Sequence, residues 1–452
     1  MRPPPPTSSL RSMSSSLRHS RATARATTRV SRVFRAVGGA LVAVSVAGGI
    51  AACARDAELR ATGPSASIDA PFMARYVALG NSITAGYQSG GINDSTQAVA
   101  YPALLARAAG TRYVAPLLSR PGCPAPFVDF LSQRRVGNGG GTDCALRTSA
   151  AASGDAAILN NVAVPGANSF DPTGLPTPAY NALHQLILGR TQVERALDAD
   201  PTFATVWIGN NDVLGFALSG TTTGVTPLAT FTANYAALLA QLRSRNPELK
   251  GVLIGVVDVT NAPLLVPAAL LVPGSPIFSA QARGAIEQGI LGGRSLQLVG
   301  CPTTTQALVS FPTFASLATL AQQLPAGAPV PFACTPTTVP GIPVPLGAAG
   351  VLDETERQFF TNTVASYNAY LRAKADSIGF AFYDPNPVLL QWRQSGQIPV
   401  FPNLTPNANA FGPFVSNDGV HPGTAAHLRV AQDLVTVINT KYGSRIPAPT
   451  LP

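Results

Sequence analysis

The chain has 452 residues, 46% of them hydrophobic and only 12% charged, which is enough apolar material for one large domain or two ordinary ones. Its formal net charge of +9 points at first to nucleic acid or anionic lipid, but residues 1–52 hold eight Arg and no Asp, Glu or Lys. The rest of the chain carries 23 basic against 22 acidic residues, which excludes an electrostatic footprint for nucleic acid on the body of the protein.

In chain order, the first feature is a leader. Arg29, Arg32 and Arg35 precede AVGGALVAVSVAGGIAA, residues 36–52. A basic segment followed by an apolar run rich in Gly and Ala is the pattern of an export signal. The segment IAAC, 50–53, resembles a bacterial lipobox. Residues 1–52 are therefore expected to be a lipoprotein-type signal peptide, with Cys53 lipidated as the mature N-terminus. Ala54 rather than Asp follows it, which by the enterobacterial sorting rule implies the outer membrane, on its periplasmic side or at the cell surface. The stretch from Met1 to Thr28 is long for a basic n-region, so Met13 is an alternative start. Residues 53–71 have no apolar periodicity and read as a tether, and the globular part should begin near Phe72.

Strand-like and helix-like patterns then alternate. RYVALG, 75–80, reads as a short buried strand, and QAVAYPALLARAAG, 97–110, as a helix with an early proline. ILNNVAVPGA, 158–167, reads as a strand entering a glycine turn, and YNALHQLILG and TQVERALDAD as helices. TFATVWIGNND, 202–212, is a strand entering a polar loop, followed by a helix over 230–247 with Thr230 as its cap and Pro247 beyond its end. KGVLIGVVDV, 250–259, is continuously apolar, the mark of a strand covered on both faces. A long amphipathic helix over 354–379, a strand at FAFYDPN and a last helix over 424–443, stopped by Gly443, complete the pattern. Strands alternating with helices imply a parallel sheet covered on both sides, whose ligands bind at the carboxyl ends of the strands.

Residues 261–350 break the alternation. They are rich in Pro, Leu, Val and Ala, and APLLVPAALLVPGSP is cut by prolines, so it cannot be one long helix. A structureless loop of this length is uncommon in a compact domain. The segment is expected to be an insertion subdomain near the functional site, a cap or lid, with a packing decoration far from the chemistry as the alternative. Residues 444–452 read as a C-terminal tail. Apart from Cys53 there are four cysteines, which allow three connectivities. The local one, Cys123–Cys144 with Cys301–Cys334, is expected, and disulfides fit an oxidising, exported location.

Histidine is scarce: His19 is in the leader, His184 lies in a helical pattern, and His427 is one turn into the last helix, on its surface or against the core. His421 differs, because SNDGVHPGT puts it in a loop with Asp418 three residues earlier. A general base needs such a carboxylate to orient its second nitrogen. Ser82 sits where the strand 76–80 turns into the next segment, a place that suits a nucleophile, although taken alone a helix cap is the better reading. Gly166 allows close backbone approach and presents an N–H, and Asn211 offers an amide N–H₂. Both are donor types that acyl transfer needs for its oxyanion.

Together these clusters resemble an SGNH hydrolase of the GDSL esterase/lipase family. GNSITAG (80–86) resembles the family's first block, NVAVPGA (161–167) the second, GNND (209–212) the third and DGVHP (418–422) the last; YPALLA, 101–106, resembles its first helix. The resemblance spans about 75–258 and 352–443, with Asn81 and Ile83 in place of the usual Asp and Leu. It implies a flavodoxin-like three-layer α/β/α sandwich, with the domain at 72–443 and the insertion at about 261–350. It implies Ser82 as nucleophile, His421 as base and Asp418 as its orienter. The oxyanion donors would be the N–H groups of Ser82 and Gly166 with Asn211, while Asp212 braces its loop. No metal or cofactor is implied, and the partners are an ester substrate and, through Cys53, a membrane. The absence of a Gly-x-Ser-x-Gly elbow argues against the α/β-hydrolase fold. Two other functions fit the same residues: a non-catalytic surface lipoprotein using the fold as a binding module, and a carbohydrate O-deacetylase, which would want aromatic and polar platforms near its site.

Overall fold

A computed structural model describes residues 70–144, 158–174, 187–338, 347 and 349–452. The leader with Cys53, the tether up to Asp69 and His184 lie outside these residues. Strands β1 (Tyr76–Gly80), β2 (Phe203–Trp207), β3 (Lys250–Ile254) and β9 (Ala381–Tyr383) form a parallel sheet in the order β1-β2-β3-β9. Tyr76 stands opposite Phe203, Phe203 opposite Lys250, and Val252 opposite Ala381. Residues 160–164 run beside the free edge of β1. The Ala78 N–H donates to Asn160 O (2.7 Å), the Val162 N–H to Ala78 O (2.9 Å) and the Val164 N–H to Gly80 O (3.1 Å). This edge is a single parallel bridge, Ala78–Asn161, rather than the full strand expected over 158–167. Asn160 and Asn161 spend their side chains on β1 and on Thr84 O, so the segment is tied by amides as much as by a ladder. Counted in chain order, the segments lie 2-1-3-4-5, the flavodoxin-like order, and the chain departs from β1 in opposite directions at the carboxyl ends of β1 and β2.

The period of two along each strand distributes the core. Val77 and Leu79 of β1, with Ala204 and Val206 of β2, face the helices Leu228–Leu242 and Glu354–Ser377, where Phe231, Leu238 and Tyr367 fill one layer. Tyr76 and Ala78, with Phe203 and Trp207, face the helices Tyr101–Ala108 and Thr424–Tyr442, where Leu104, Leu434 and Ile438 fill the other. This is a three-layer α/β/α sandwich.

Local sequence explains the element ends, with two departures. The helix expected over 97–110 is two: Asp94–Ala98, capped by Asn93, and Tyr101–Ala108. Pro102 has no N–H to give back and its ring excludes the preceding turn's carbonyl, so the chain restarts there. The helix expected to start at Thr230 starts at Leu228, behind the extended Pro227, and Thr230 is inside it. Asp353 caps Glu354–Ser377 with Glu356 in a reciprocal box, and Gly443 ends the last helix at φ +66°.

The segment 261–350, with the two residues after it, builds two small sheets. Strands β4 (Leu265–Pro267), β6 (Leu308–Ser310) and β8 (Val351–Leu352) pair antiparallel, and β5 (Leu296–Val299) pairs parallel with β7 (Val330–Ala333). The Cys301–Cys334 disulfide joins the ends of β5 and β7, and Cys123–Cys144 closes the other loop, which is the local pairing. Val266, Val309 and Phe314 share a core with Trp392, Phe411 and Val415, so the segment packs against the chain just before His421. The tail is bound too: Ile446 is buried and its carbonyl accepts from Asn439 Nδ2 at 2.9 Å.

His427 belongs to the core. It is fully buried, its Nδ1 accepts the Tyr101 N–H at 3.2 Å, and its Nε2 has no partner among the described residues. Burial, with His421 nearby, pushes its pKa down to about 3. The folded protein therefore keeps His427 neutral, while the unfolded chain takes up a proton below about 6.5. Stability carried by this group is complete above about pH 6.5 and declines as the pH falls toward 3. Thermal melts over that window should show the decline, and His427→Gln should reduce it; an identical slope in the variant would mean that His427 does not drive it.

Candidate active site

The first block is built at the end of β1. A Cβ on Gly80 would stand 2.3 Å from Thr84 Oγ1 and 2.6 Å from Trp207 O, so only glycine lets the strand turn here. The next residue, Asn81, caps the short helix Ser82–Ala85: its Oδ1 accepts the Ile83 N–H at 3.1 Å. Capping is therefore done by Asn81, and the Ser82 hydroxyl is left for another partner. Asn81 Nδ2 is buried and unpartnered among the described residues, where the family's usual Asp would carry an oxygen.

That partner is His421. The Ser82 O–H donates to His421 Nε2 at 2.8 Å, and His421 Nδ1–H donates to Asp418 Oδ2 at 2.8 Å. Both Asp418 oxygens are heavily used. Oδ1 accepts from the N–H groups of Val420 (2.9 Å) and His421 (2.8 Å) and from the Ser416 hydroxyl (3.1 Å). Oδ2 also accepts the Gly90 N–H at 2.6 Å. Burial by itself would raise the Asp418 carboxyl, but the His421 imidazole and these donors outweigh it and hold the pKa down to about 2. Hydrogen-bonded through Nδ1 to an ionised carboxylate, the imidazole leaves Nε2 free to accept the serine proton.

Four residues that sequence reasoning did not single out lock this arrangement: Tyr87, Ser89, Gly90 and Ser416. The Tyr87 ring packs 4.8 Å from the imidazole, and burial with the Asp418 charge pushes its phenol up to about 12, so it stays neutral. The Ser89 N–H donates to Ser416 Oγ (2.8 Å), and the Asn417 N–H donates to Ser89 Oγ (3.1 Å). Gly90 has φ +65°, and a Cβ there would meet the Phe127 ring at 2.3 Å. The Gly90-Gly91 doublet behind the serine block was the available signal, since paired glycines mark backbone that must adopt a left-handed turn.

The second and third blocks meet beside this chain of bonds. Gly166 is exposed at φ +80°, and Asn211 Nδ2 donates to Ala167 O at 2.8 Å. An amide nitrogen has two N–H groups, so one of Asn211 is left for another acceptor. Asp212 takes the Ser169 N–H (2.8 Å) and hydroxyl (2.6 Å) and is buried, with its pKa raised by that burial. It thus ties the two loops together rather than reaching the serine. Beside Ile83 lies a mostly apolar cavity of about 100 Å³, walled by Trp207, Asn210, Leu214, Val259 and Trp392, with Val420 and Pro422 flanking His421.

A family model described as GDSL-like Lipase/Acylhydrolase matches residues 76–297. This match supports the SGNH/GDSL hydrolase superfamily. The chain is accordingly a serine hydrolase acting on ester bonds. The matched span holds Ser82, Gly166 and Asn211 but ends well before Asp418 and His421, which join them through the fold. Among solved structures, the chain is similar to an extracellular lipase from Streptomyces rimosus, at 17% identity and a TM-score of 0.29, over 79% of this chain and 98% of that one. So slight a likeness adds nothing to the fold derived from the strand pairing. No curated protein matches the chain.

Proposed function

We propose that the protein is an exported, lipid-anchored serine esterase that hydrolyses carboxylic esters through an acyl-enzyme on Ser82. The observation that supports this best is the unbroken hydrogen-bond chain Ser82–His421–Asp418. In this reading Ser82 Oγ attacks the ester carbonyl while its proton passes to His421 Nε2. Asp418 stays ionised and stabilises the imidazolium. The N–H groups of Ser82 and Gly166 and the Asn211 amide receive the oxyanion. The imidazolium then protonates the departing alcohol, and water repeats the cycle on the acyl-enzyme. Hydrolysis of p-nitrophenyl acetate by the purified protein tests the chemistry, and silence on every ester would favour the binding-module reading.

The anchor rests on the leader sequence alone. Cys53→Ser should move the protein from the membrane fraction to the soluble fraction; retention in the membrane would overturn the lipid anchor. A second reading, a carbohydrate O-deacetylase, is favoured by one feature. An open groove beside the Asp418 loop is lined by Gln88, Asn407, Asn417 and Thr424, with Trp392 and Phe414 stacked 4.0 Å apart at its wall. Amides and an aromatic face are what a sugar would require. Release of acetate from acetylated xylan, compared with simple alkyl acetates, separates the two.

A further inference from the structure

The turn Gln88–Gly91, just behind the short helix of the nucleophile, is held from two sides. The Gly91 N–H donates to Gln88 O at 3.1 Å and closes it, and both central residues are left-handed, Ser89 at φ +53° and Gly90 at φ +65°. Glycine takes that conformation freely, but the serine side chain disfavours it, so the surroundings must fix it. On the inner side both turn N–H groups are engaged. Ser89 donates to Ser416 Oγ at 2.8 Å, and Gly90 donates to Asp418 Oδ2 at 2.6 Å. Asp418 Oδ2 is the same oxygen that holds the imidazole of His421.

On the outer side both turn carbonyls are engaged too, by the segment 125–136. The Phe127 N–H donates to Ser89 O at 2.6 Å, and Arg135 Nη1 donates to Gly90 O at 2.7 Å. Arg135 is itself fixed. Its Nη1 also donates to Ala125 O at 2.5 Å, and its guanidinium lies 4.0 Å from the centre of the Phe127 ring. That ring is what a Cβ on Gly90 would strike. The Val128 N–H to Arg134 O and the Val136 N–H to Pro126 O pair the two limbs of the segment, and the Cys123–Cys144 disulfide encloses it. The Arg135 charge reaches Tyr87, whose ring packs on the imidazole: burial and Asp418 push that phenol up, and Arg135 pushes it down.

We propose that Arg135 is a positioning residue for the hydrolytic reaction: by holding Gly90 O it aims the Gly90 N–H at Asp418, and through Asp418 it orients His421. This rests on the esterase reading of Ser82, His421 and Asp418. Losing Arg135 has two effects of one sign. An Asp418 relieved of the Gly90 donor attracts the imidazolium more strongly, and removal of the guanidinium takes away a repulsion on it. Either makes the base easier to protonate, so the acid limb of the rate profile moves to higher pH. The other titratable groups around the imidazole are Tyr87 at its face and His427 on the last helix. One is pushed up to about 12 and the other down to about 3, so both stay neutral between and leave the limb where it is.

The test uses three variants on p-nitrophenyl acetate. Arg135→Met keeps an apolar stem over Phe127 and removes the donors and the charge. It should lose about tenfold in kcat, the effect of about one hydrogen bond, with KM unchanged, and its acid limb in kcat/KM should lie about half a pH unit above that of wild type. Arg135→Lys keeps the charge and a donor, and should restore most of kcat and the wild-type limb. Arg135→Gln keeps a donor and drops the charge, and should fall between the two in kcat with its limb still shifted. Melting temperatures separate these rate effects from unfolding, and if Arg135→Met does not fold, the Lys and Gln variants carry the comparison. Wild-type kcat and acid limb in Arg135→Met overturn the proposal. An equal loss in all three variants with the limb unmoved also overturns it, since loop packing alone would give that. So does a limb that is identical in the Lys and Gln variants, or a change confined to KM, which would put Arg135 on the substrate. Failure of wild type to cleave any ester, acetate included, sinks the esterase reading and this proposal with it.

Discussion

Ser82→Ala should reduce kcat on p-nitrophenyl acetate roughly a millionfold, the scale seen when the nucleophile of a comparable triad is removed. The argument is geometric. Among the described residues, Ser82 Oγ is the hydroxyl bonded to His421 Nε2, at 2.8 Å. Without it no acyl-enzyme forms, and the residual rate is that of water attacking an ester held by the oxyanion donors. The fold should hardly notice. The serine hydroxyl does not cap its helix, since Asn81 does. His421 is 15% exposed and can find water in its place, so the stability change should stay below about 1 kcal/mol. Lost activity with an unchanged melting temperature is the expected pair of results. Activity above a few per cent of wild type would remove Ser82 from the role of nucleophile.

Asp418→Asn should cost about ten-thousandfold in kcat, and here the hydrogen-bond inventory says why. Asp418 presents two acceptor oxygens to five donors. Asn has one oxygen. If that oxygen stays with Val420, His421 and Ser416, the amide N–H₂ faces both the Gly90 N–H and the imidazole. The ring must then accept at Nδ1, which puts its proton on Nε2, pointing at Ser82, and no base remains. If the amide turns the other way, three donors lose their acceptor, each at a cost of about 1–3 kcal/mol. The substitution should therefore reduce both rate and melting temperature. The pH dependence carries a further sign. Asp418 titrates near 2 in the fold and near 3.8 in the unfolded chain, so its contribution is present above about pH 4 and lost as the pH falls toward 2. Melts of the variant should be flatter than wild type over that window. Wild-type kinetics in Asp418→Asn would mean that another group orients His421.

The parts of the site that could be read from the chain are those with local signatures. Asp418 and His421 are three residues apart, so a single turn brings them together whatever the rest of the fold does. Ser82, Gly166 and Asn211 each close an apolar run with a small or polar residue, a pattern set by the end of a buried strand. The clamp on Asp418 has no such signature. Ser89 and Gly90 bond to Ser416 and Asp418 across more than three hundred residues, and nothing in SGG by itself names those partners. His427 looked like one more helix residue until the packing of Tyr101 against the last helix enclosed it. The insertion was legible only in part for the same reason: the prolines of APLLVPAALLVPGSP exclude one long helix, but they do not say which short strands will pair.

By itself, the sequence determined the alternation of buried strands and amphipathic helices, the types of residue at the strand ends, and the local order of the cysteines. These follow from periodicity, burial and chain proximity, all of which act over a few residues. Tertiary structure alone decided that Ser82 meets His421, that Asn81 and not Ser82 caps the helix, and that His427 is buried against Tyr101. Those depend on which strands neighbour one another and in what register, a choice settled by packing the whole sheet between its two layers of helices.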